Sequence, residues 1–322
     1  MTEACARSDL VVFVHIPKTA GTTLNALLAH HYSADQIYEI MMRGMSVTTS
    51  TPLISASKIR RLKRALKHDD ELRVIHGHFD LSLGKLLPTR AKLVTLLRDP
   101  VERAISHYFH YRKMQFDPIN PLAMRSSLSE WVGNCGLVEM DNGQTRRLAG
   151  DMDKPFGQVT QAMLERAKEN LSRFSVVGLT ERFEETQVLL NKTFDWPLYR
   201  YTPRNVSELR LHRSEVSDQD VRFIMDCNRF DMELYRFAAE LLEQAVSRFN
   251  MVEELSALRN APEHVEPIRT ETIRVPTAYQ RAKSAINTFL RSNQTQKLML
   301  PVCLYWLSTM ASSDSAAILA QL

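Results

Sequence analysis

Residues 11–28 of the chain have the sequence VVFVHIPKTAGTTLNALL, and this stretch decides the fold. The β-branched and aromatic residues 11–14 predict a buried strand, residues 16–23 predict a turn, and residues 24–28 predict the start of an amphipathic helix. The first backbone N–H groups of a helix lack internal partners, and the helix dipole adds partial positive charge there. The stretch therefore predicts a strand, an anion-binding loop and a helix.

The residue types in the turn favour contact with an oxyanion. Lys18 adds a full positive charge, the threonines add hydroxyl donors, and Gly21 lets the backbone approach a ligand closely. The turn is not a Walker A loop, because that motif places its lysine after the last glycine, whereas Lys18 precedes Gly21. A lone lysine and glycine would also be typical of an ordinary strand-to-helix turn.

The composition is that of an ordinary globular protein. The 322 residues are 44% hydrophobic and 24% charged, which is enough chain for one large α/β domain and an appendage. The net charge of +4 suits a polyanionic nucleotide or an acidic acceptor but is too small to predict nucleic-acid binding. The four cysteines are widely separated without metal-binding spacing, so free thiols in a reducing compartment are favoured.

No secretory signal or transmembrane segment is predicted. The N-terminus lacks the apolar region of a signal peptide. The longest apolar run, residues 298–311, is broken by Pro301 and is shorter than the roughly 18 residues that a membrane span needs. These features predict a soluble protein of the cytoplasm.

Two histidines follow a second predicted strand, residues 72–75. His76 and His78 stand at its carboxyl end, where open parallel sheets bind their ligands, so we expect both on the same edge as the loop. Histidine has an unperturbed pKa of about 6.5 and can accept a hydroxyl proton near neutral pH. A structural role or half of a metal site is the alternative, but no nearby cluster completes a metal site.

A third predicted strand, residues 92–97, ends at Arg98 in the sequence RDP, and a helix follows. Proline suits the first position of a helix, and the Arg98 guanidinium stands where it can bind a phosphate through two hydrogen bonds. Ser106 follows eight residues later, about two helical turns on. A local ion pair between Arg98 and Asp99 is an equally good interpretation of the triplet alone.

Together these motifs resemble those of a known superfamily. The loop HIPKTAGTT and the later LLRDPVERAISHYFHYR resemble the 5′-phosphosulfate and 3′-phosphate motifs of sulfotransferases that use 3′-phosphoadenosine 5′-phosphosulfate (PAPS). The intervening HGHF resembles the histidine pair of heparan and uronyl 2-O-sulfotransferases. The segment DNGQTRRL resembles an Asn-x-Gln-x-Arg segment of bacterial members. The resemblance covers residues 11–249 and, without the Golgi anchor of the 2-O enzymes, indicates a soluble bacterial relative.

The resemblance implies roles for individual residues. The loop would bind the 5′-phosphosulfate through Lys18, Thr19, Ala20, Gly21, Thr22 and Thr23. Arg98 and Ser106 would bind the 3′-phosphate, and Lys18 would also neutralise charge on the leaving phosphate. His78 would be the general base, with His76 as its orienting residue or as a second candidate. No metal is expected to be required, since Lys18 and the helix dipole supply positive charge.

The fold that we expect is a three-layer α/β/α, P-loop-like domain around a mainly parallel central sheet, with a C-terminal helical extension. The predicted divisions are a sulfotransferase domain at residues 1–250, a linker at 251–276 and the extension at 277–322. The predicted reaction transfers the sulfuryl group of PAPS to an acceptor hydroxyl by in-line displacement and leaves the desulfated nucleotide PAP. The acceptor is expected to be a carbohydrate or glycoconjugate. A homo-oligomer is compatible with the sequence.

Some alternatives stay open. A P-loop kinase or NTPase would use the same strand, loop and helix, but it should carry Gly-Lys-Ser/Thr and a Mg²⁺-binding acid. A non-catalytic nucleotide-binding protein would keep Lys18 and Arg98 but would not need a histidine at the strand edge. His15 stands where the 2-O enzymes carry an arginine, and it either contacts a ligand or caps the strand. The basic helix predicted at residues 58–68 either contacts an acidic acceptor or is a solvated surface.

Overall fold

The computed structural model describes residues 9–40, 56–114, 117–198 and 215–260. A five-stranded sheet has the order β2-β3-β1-β4-β5, and every neighbouring pair of strands is parallel. The strands are β1 (Leu10–Val14), β2 (Ile37–Ile40), β3 (Val74–Gly77), β4 (Ala91–Leu97) and β5 (Val176–Leu179). The prediction of an α/β domain around a mainly parallel sheet is confirmed.

Helices cover both faces of the sheet. They are α1 (Gly21–His31), α2 (Ala56–His68), α3 (Pro100–Lys113), α4 (Asn120–Arg125), α5 (Leu128–Asn134), α6 (Gly143–Ala149), α7 (Gln161–Leu171), α8 (Phe183–Phe194), α9 (Asp218–Cys227), α10 (Arg229–Phe249) and α11 (Val252–Asn260). One core joins the sheet to α1, α7, α8 and α10, and a second joins its other face to α2. A third core joins α3, α4, α5 and α9. No helix of the described residues is long and apolar enough to span a membrane.

The central strand β1 explains why the quoted stretch is uniformly apolar. Val11 and Phe13 belong to the core under α1, whereas Val12 and Val14 belong to the core under α2. A parallel strand that is covered on both faces needs apolar residues at every position rather than at alternate ones. All five residues of β1 are accordingly buried.

Strand β2 was not predicted. Its sequence IYEI lies in a segment without clear periodicity, and three of its four residues are only half-buried. Among the described residues, the strand lies at the edge of the sheet and pairs with β3 alone. Because an edge strand needs one neighbour and one covered face, its hydrophobic pattern is weak.

The predicted linker at residues 251–276 differs from the structure in its first ten residues. Residues 252–260 form α11, which belongs to the same compact unit as the sheet. Met251 and Leu258 are buried in the core that contains α8 and α10, so this segment is held by packing and is not a linker. Residues 261–276 of the predicted linker and the extension at 277–322 lie outside the described residues.

Candidate active site

The three predicted motifs follow three neighbouring strands. The loop follows β1, His76 lies near the end of β3 with His78 just after it, and Arg98 follows β4. Since β1 pairs in parallel with β3 on one side and with β4 on the other, all three motifs meet at the carboxyl ends of these strands. The order of the strands therefore creates the site, and β1 lies at its centre.

The anion loop, residues 16–22, has a backbone shape that suits an anion. Lys18 and Ala20 adopt left-handed conformations, with φ of 69° and 61°. The N–H groups of Thr23 and Leu24 return to the carbonyl of Ala20 at 3.0 and 3.2 Å. Within the described residues, no backbone hydrogen bond uses the N–H groups of residues 19–22. These four donors at the start of α1 fit an oxyanion such as a phosphosulfate.

The threonines of the loop have different environments. The Thr19 hydroxyl donates to the carbonyl of Ile16 at 2.8 Å and is buried, so its proton closes the loop instead of facing a ligand. Thr22 is exposed, and Thr23 is buried in the first turn of α1. At Thr19, the backbone N–H and not the hydroxyl proton is therefore available for the predicted contact with a ligand.

Gly21 also has a packing role beside the predicted close approach to a ligand. A Cβ atom built on Gly21 would lie closer than 3.0 Å to three atoms of the His15 imidazole. That ring is buried, and it stacks on Phe13 with centroids 5.1 Å apart and contacts His78 with centroids 4.1 Å apart. The glycine thus makes room for His15 beneath the start of α1, a packing role that differs from both roles predicted for His15.

His78 is held with one nitrogen directed to the loop entry. Its Nδ1 lies 3.0 Å from the carbonyl of His15. A carbonyl can only accept, so Nδ1 carries the proton, and the neutral ring keeps its lone pair on Nε2. Burial and the charge of Arg147 lower the pKa of His78, while the hydrogen bond to His15 and the charge of Glu139 oppose that shift. A neutral imidazole with a free Nε2 lone pair can act as a general base.

His76 has a different environment from His78. It lies inside β3 opposite Phe13, it is 4% exposed, and its Nδ1 has no hydrogen-bond partner within the described residues. Burial, with a smaller effect of His78, lowers the pKa of His76 to about 4. No hydrogen bond between His76 and His78 is found in the described part of the chain. His76 is therefore a buried neutral histidine of the strand.

Arg98 connects two of the predicted motifs. Its Nη1 donates to the carbonyl of Lys18 at 3.0 Å, so the guanidinium supports the backbone of the anion loop. Carboxylates of Glu102 and Glu181 lie 3.7 and 3.8 Å from the same guanidinium. Asp99 caps α3 by accepting from the N–H groups of Val101 and Glu102 at 3.0 Å.

Ser106 and Lys18 are placed where a ligand could reach them. Ser106 lies in α3 and is half-buried, and the described residues offer its hydroxyl no hydrogen-bond partner. Lys18 is also half-buried. Partial burial and, after it, the charge of Lys18 lower the pKa of His110 in α3 to about 4. The donors around the loop and α3 thus fit a nucleotide with two anionic groups.

The side chains of the Asn-x-Gln-x-Arg segment bind the backbone of α10 and of Arg98. The Asn142 side chain accepts from the first N–H groups of α10, and Asp231 accepts from the N–H of Gln144 at 3.0 Å. The Gln144 side chain bonds both backbone groups of Arg98, at 3.0 and 2.9 Å. Arg146 pairs with the buried Asp141. Each of these side chains has a structural partner that sequence reasoning did not supply.

Three buried charged residues near the site were not predicted: Arg103, Glu139 and Arg147. Their roles were only weakly indicated by the sequence. Arg103 shares the buried face of α3 with apolar residues, where an arginine needs a specific partner. Its partner Glu139 lies 36 residues away in a different segment, so the pairing could not be inferred from local sequence.

A family profile described as "Sulfotransferase domain" matches residues 8–163. This range contains the anion loop, both histidines, Arg98 and Ser106. Residues 8–163 are therefore similar to a sulfotransferase domain, which supports the PAPS-dependent sulfotransferase superfamily. The prediction of a PAPS-dependent sulfotransferase enzyme is confirmed by this match together with the relatives described next.

Named relatives of this sulfotransferase are heparan-sulfate 6-O-sulfotransferases. It is 28% identical over 304 residues to form 2 from Gallus gallus, covering 82% of this chain and 74% of that protein. It is 28% identical over 299 residues to form 2 from Homo sapiens, covering 79% and 48%. Form 1 from Homo sapiens is 28% identical over 274 residues, covering 73% and 66%. The predicted resemblance to 2-O enzymes is not confirmed by these relatives, and neither is a bacterial source.

The residues of this sulfotransferase fit its donor. The unpaired N–H groups at the start of α1 and the Lys18 cation suit a phosphosulfate, and the Ser106 hydroxyl suits a phosphate. Among the described residues, no group of three or more His, Cys, Asp or Glu side chains could hold a metal ion. The predicted independence from metal stays a prediction.

Proposed function

We propose that this sulfotransferase transfers the sulfuryl group of PAPS to a hydroxyl of an acidic saccharide, with His78 as the general base. The observation that carries the proposal is the 3.0 Å hydrogen bond from His78 Nδ1 to the carbonyl of His15. It leaves Nε2 of the neutral ring to accept a proton. Because His15 leads directly into the anion loop, the base and the donor site share one backbone connection.

On the donor side, the chain's own residues would bind and stabilise negative charge. PAPS supplies an electrophilic sulfuryl group on a phosphate leaving group when it is bound. Lys18 and the N–H groups of residues 19–22 would hold the phosphosulfate and stabilise the charge that grows on the leaving oxygen. Ser106 would donate its hydroxyl to the 3′-phosphate. Arg98 would contribute positive charge there while it supports the loop.

On the acceptor side, Nε2 of His78 would remove the hydroxyl proton as the acceptor oxygen attacks sulfur. The lowered pKa of His78 keeps its ring neutral at neutral pH, which is the form a base requires. Removal of a general base typically reduces the rate by about 10²- to 10⁴-fold. His76 is assigned no proton transfer, because it is buried inside β3 and is not hydrogen-bonded to His78.

The proposed acceptor class is supported by the relatives and by helix α2. Helix α2 carries five exposed basic residues that have no acidic partner within the described residues, namely Arg60, Arg61, Lys63, Arg64 and Lys67. Like charges at positions i and i+4 destabilise a helix by a few tenths of a kcal/mol per pair. A bound polyanion would relieve that repulsion, so we propose that α2 contacts an acidic polysaccharide chain.

We propose the 6-O position of a heparan-type saccharide as the sulfated site. The relatives named as 6-O-sulfotransferases align over about 300 residues, whereas the resemblance to 2-O enzymes rests on short motifs. The cytoplasmic location, the bacterial source and homo-oligomer formation stay predictions.

The direct test incubates the purified protein with PAPS and partly desulfated heparan saccharides, followed by analysis of the sulfated disaccharides. We expect PAPS-dependent 6-O-sulfation that falls about 10²- to 10⁴-fold in His78→Ala. His76→Ala is the matched control, and it should retain far more activity than His78→Ala. Equal losses in both variants would contradict His78 as the base.

Donor identity is tested separately by calorimetry with PAP, ADP and ATP. We expect binding of PAP without Mg²⁺ and weaker binding of ADP, with the difference reduced in Ser106→Ala because the 3′-phosphate loses a donor. Mg²⁺-dependent binding of ATP in preference to PAP would contradict the sulfotransferase proposal and favour a kinase.

A further inference from the structure

A buried carboxylate lies between the anion loop and the histidine turn, residues 76–79. We propose that Glu139 is a positioning residue for sulfuryl transfer and that it sets the place of His78 relative to the loop through Arg103 and Arg147. This inference rests on the proposed role of His78 as the base. Glu139 itself would touch neither the donor nor the acceptor.

The first connection leads from Glu139 to the loop. Nη2 of Arg103 pairs with Oε2 of Glu139, and Nη1 of Arg103 donates to the Glu139 carbonyl at 2.8 Å. Nε of the same guanidinium donates to the carbonyl of Pro17 at 3.1 Å. Pro17 directly precedes Lys18, so Arg103 connects Glu139 to the entry of the anion loop.

The second connection leads from Glu139 to the base. Nη2 of Arg147 pairs with Oε1 of Glu139, and Nη1 of Arg147 donates to the carbonyl of Phe79 at 3.1 Å. Phe79 directly follows His78 in the histidine turn. Each oxygen of the carboxylate therefore binds one guanidinium, and each guanidinium holds the backbone of one part of the site.

The network is closed to solvent and tightly packed. Glu139 is 2% exposed, and Arg103 and Arg147 are each 1% exposed. A Cβ atom at Gly143 would lie 2.8 Å from Oε2 of Glu139 and 2.9 Å from Nη2 of Arg103. Apolar side chains are often at least as stabilising as a buried ion pair. Stability alone therefore does not explain the network. The backbone positions of the loop and the histidine turn that it fixes explain it better.

The charges of the network also act on the base. His78 faces the His15 ring, His76, Arg147 and Glu139. Burial and Arg147 lower the pKa of His78, whereas Glu139 raises it. Removal of the Glu139 charge should lower that pKa further, because the imidazolium loses a nearby negative charge. A general loosening of the fold would instead expose His78 and move its pKa back toward 6.5.

The test compares Glu139→Gln with the matched variant Asp141→Asn. Glutamine keeps the volume of Glu139 but has one acceptor oxygen, so it can serve only one of the two arginines. Asp141 is also buried and paired with an arginine, Arg146. That guanidinium bonds the carbonyls of Lys154 and Pro155, not the loop or the histidine turn.

For Glu139→Gln we expect kcat to fall about 10²-fold, the loss expected from a misplacement of about 1 Å. PAP affinity should change by less than about threefold, since the loop N–H groups and Ser106 are retained. The pKa of His78, followed by NMR titration of its ring protons, should decrease. Asp141→Asn, assayed where it is folded, should leave kcat within about threefold and the His78 titration unchanged.

The proposal is wrong if Glu139→Gln reduces kcat no more than Asp141→Asn, or if PAP affinity falls by the same factor as kcat. If Glu139→Gln does not fold, Glu139→Asp keeps the charge on a shorter side chain. That variant should lower kcat without changing the His78 pKa, and wild-type kcat would refute the proposal. If the wild type shows no PAPS-dependent turnover, the proposed function fails. Unchanged His78 titration in Glu139→Gln would then separately refute the positioning role.

Discussion

The substitution Gly21→Ala tests the packing of the anion loop against His15. A Cβ atom at residue 21 would stand closer than 3.0 Å to three atoms of the His15 imidazole, whereas ordinary contacts begin near 3.4 Å. The ring cannot move freely, because it lies between Phe13 and His78. Relief of the clash must therefore displace either the imidazole or the start of α1.

Overpacking of this kind typically costs about 1–3 kcal/mol. In a domain of this size each kcal/mol lowers Tm by about 2–4 °C, so Gly21→Ala should melt measurably below the wild type. PAP affinity should fall as well, because the displaced start of α1 carries the N–H groups that would bind the phosphosulfate. Differential scanning fluorimetry and calorimetry measure the two effects.

The double variant His15→Ala/Gly21→Ala distinguishes the proposed clash from a general sensitivity of the loop. With the imidazole removed, the added methyl group meets no ring, so the second substitution should be nearly neutral in the His15→Ala background. A double-mutant cycle should then give a coupling energy of about 1 kcal/mol or more. Additive losses, or a wild-type melting temperature in Gly21→Ala, would refute the reasoning.

Three further predictions concern the base, the loop support and α2. The rate should rise with pH as His78 loses its proton, and the midpoint of that rise should lie below the pKa of about 6.5 of an ordinary histidine, because burial lowers the pKa of His78; a pH profile of kcat/KM checks this. Gln144→Ala removes both hydrogen bonds to the Arg98 backbone, so calorimetry should show weaker PAP binding. The control Asn170→Ala loses its hydrogen bond to the Leu148 carbonyl and should bind PAP as the wild type does. Neutralising the exposed basic residues of α2 to glutamine should raise KM for the saccharide, flatten its salt dependence and leave PAP binding unchanged. The five positions are Arg60, Arg61, Lys63, Arg64 and Lys67.

Local sequence was sufficient for the central part of this protein. The apolar run of β1, the glycine and lysine of the turn and the RDP triplet each act over a few residues, so their patterns predicted the strand, the anion loop and the start of α3. The predicted strand for β3 was displaced by two residues, and α1 begins at Gly21 instead of Leu24. Such shifts arise because the ends of elements depend on neighbours as well as on propensity.

Only the tertiary structure decided how these parts form a site. The bond that leaves Nε2 of His78 as a proton acceptor joins residues 63 positions apart, and the bond from Arg103 to Pro17 spans 86 positions. Glu139 meets Arg103 of α3 and Arg147 of α6 only because the folded chain brings these three segments together. A sequence specifies its local conformations through nearby residues, but hydrogen bonds between distant segments form only after the sheet and helices have brought those segments together.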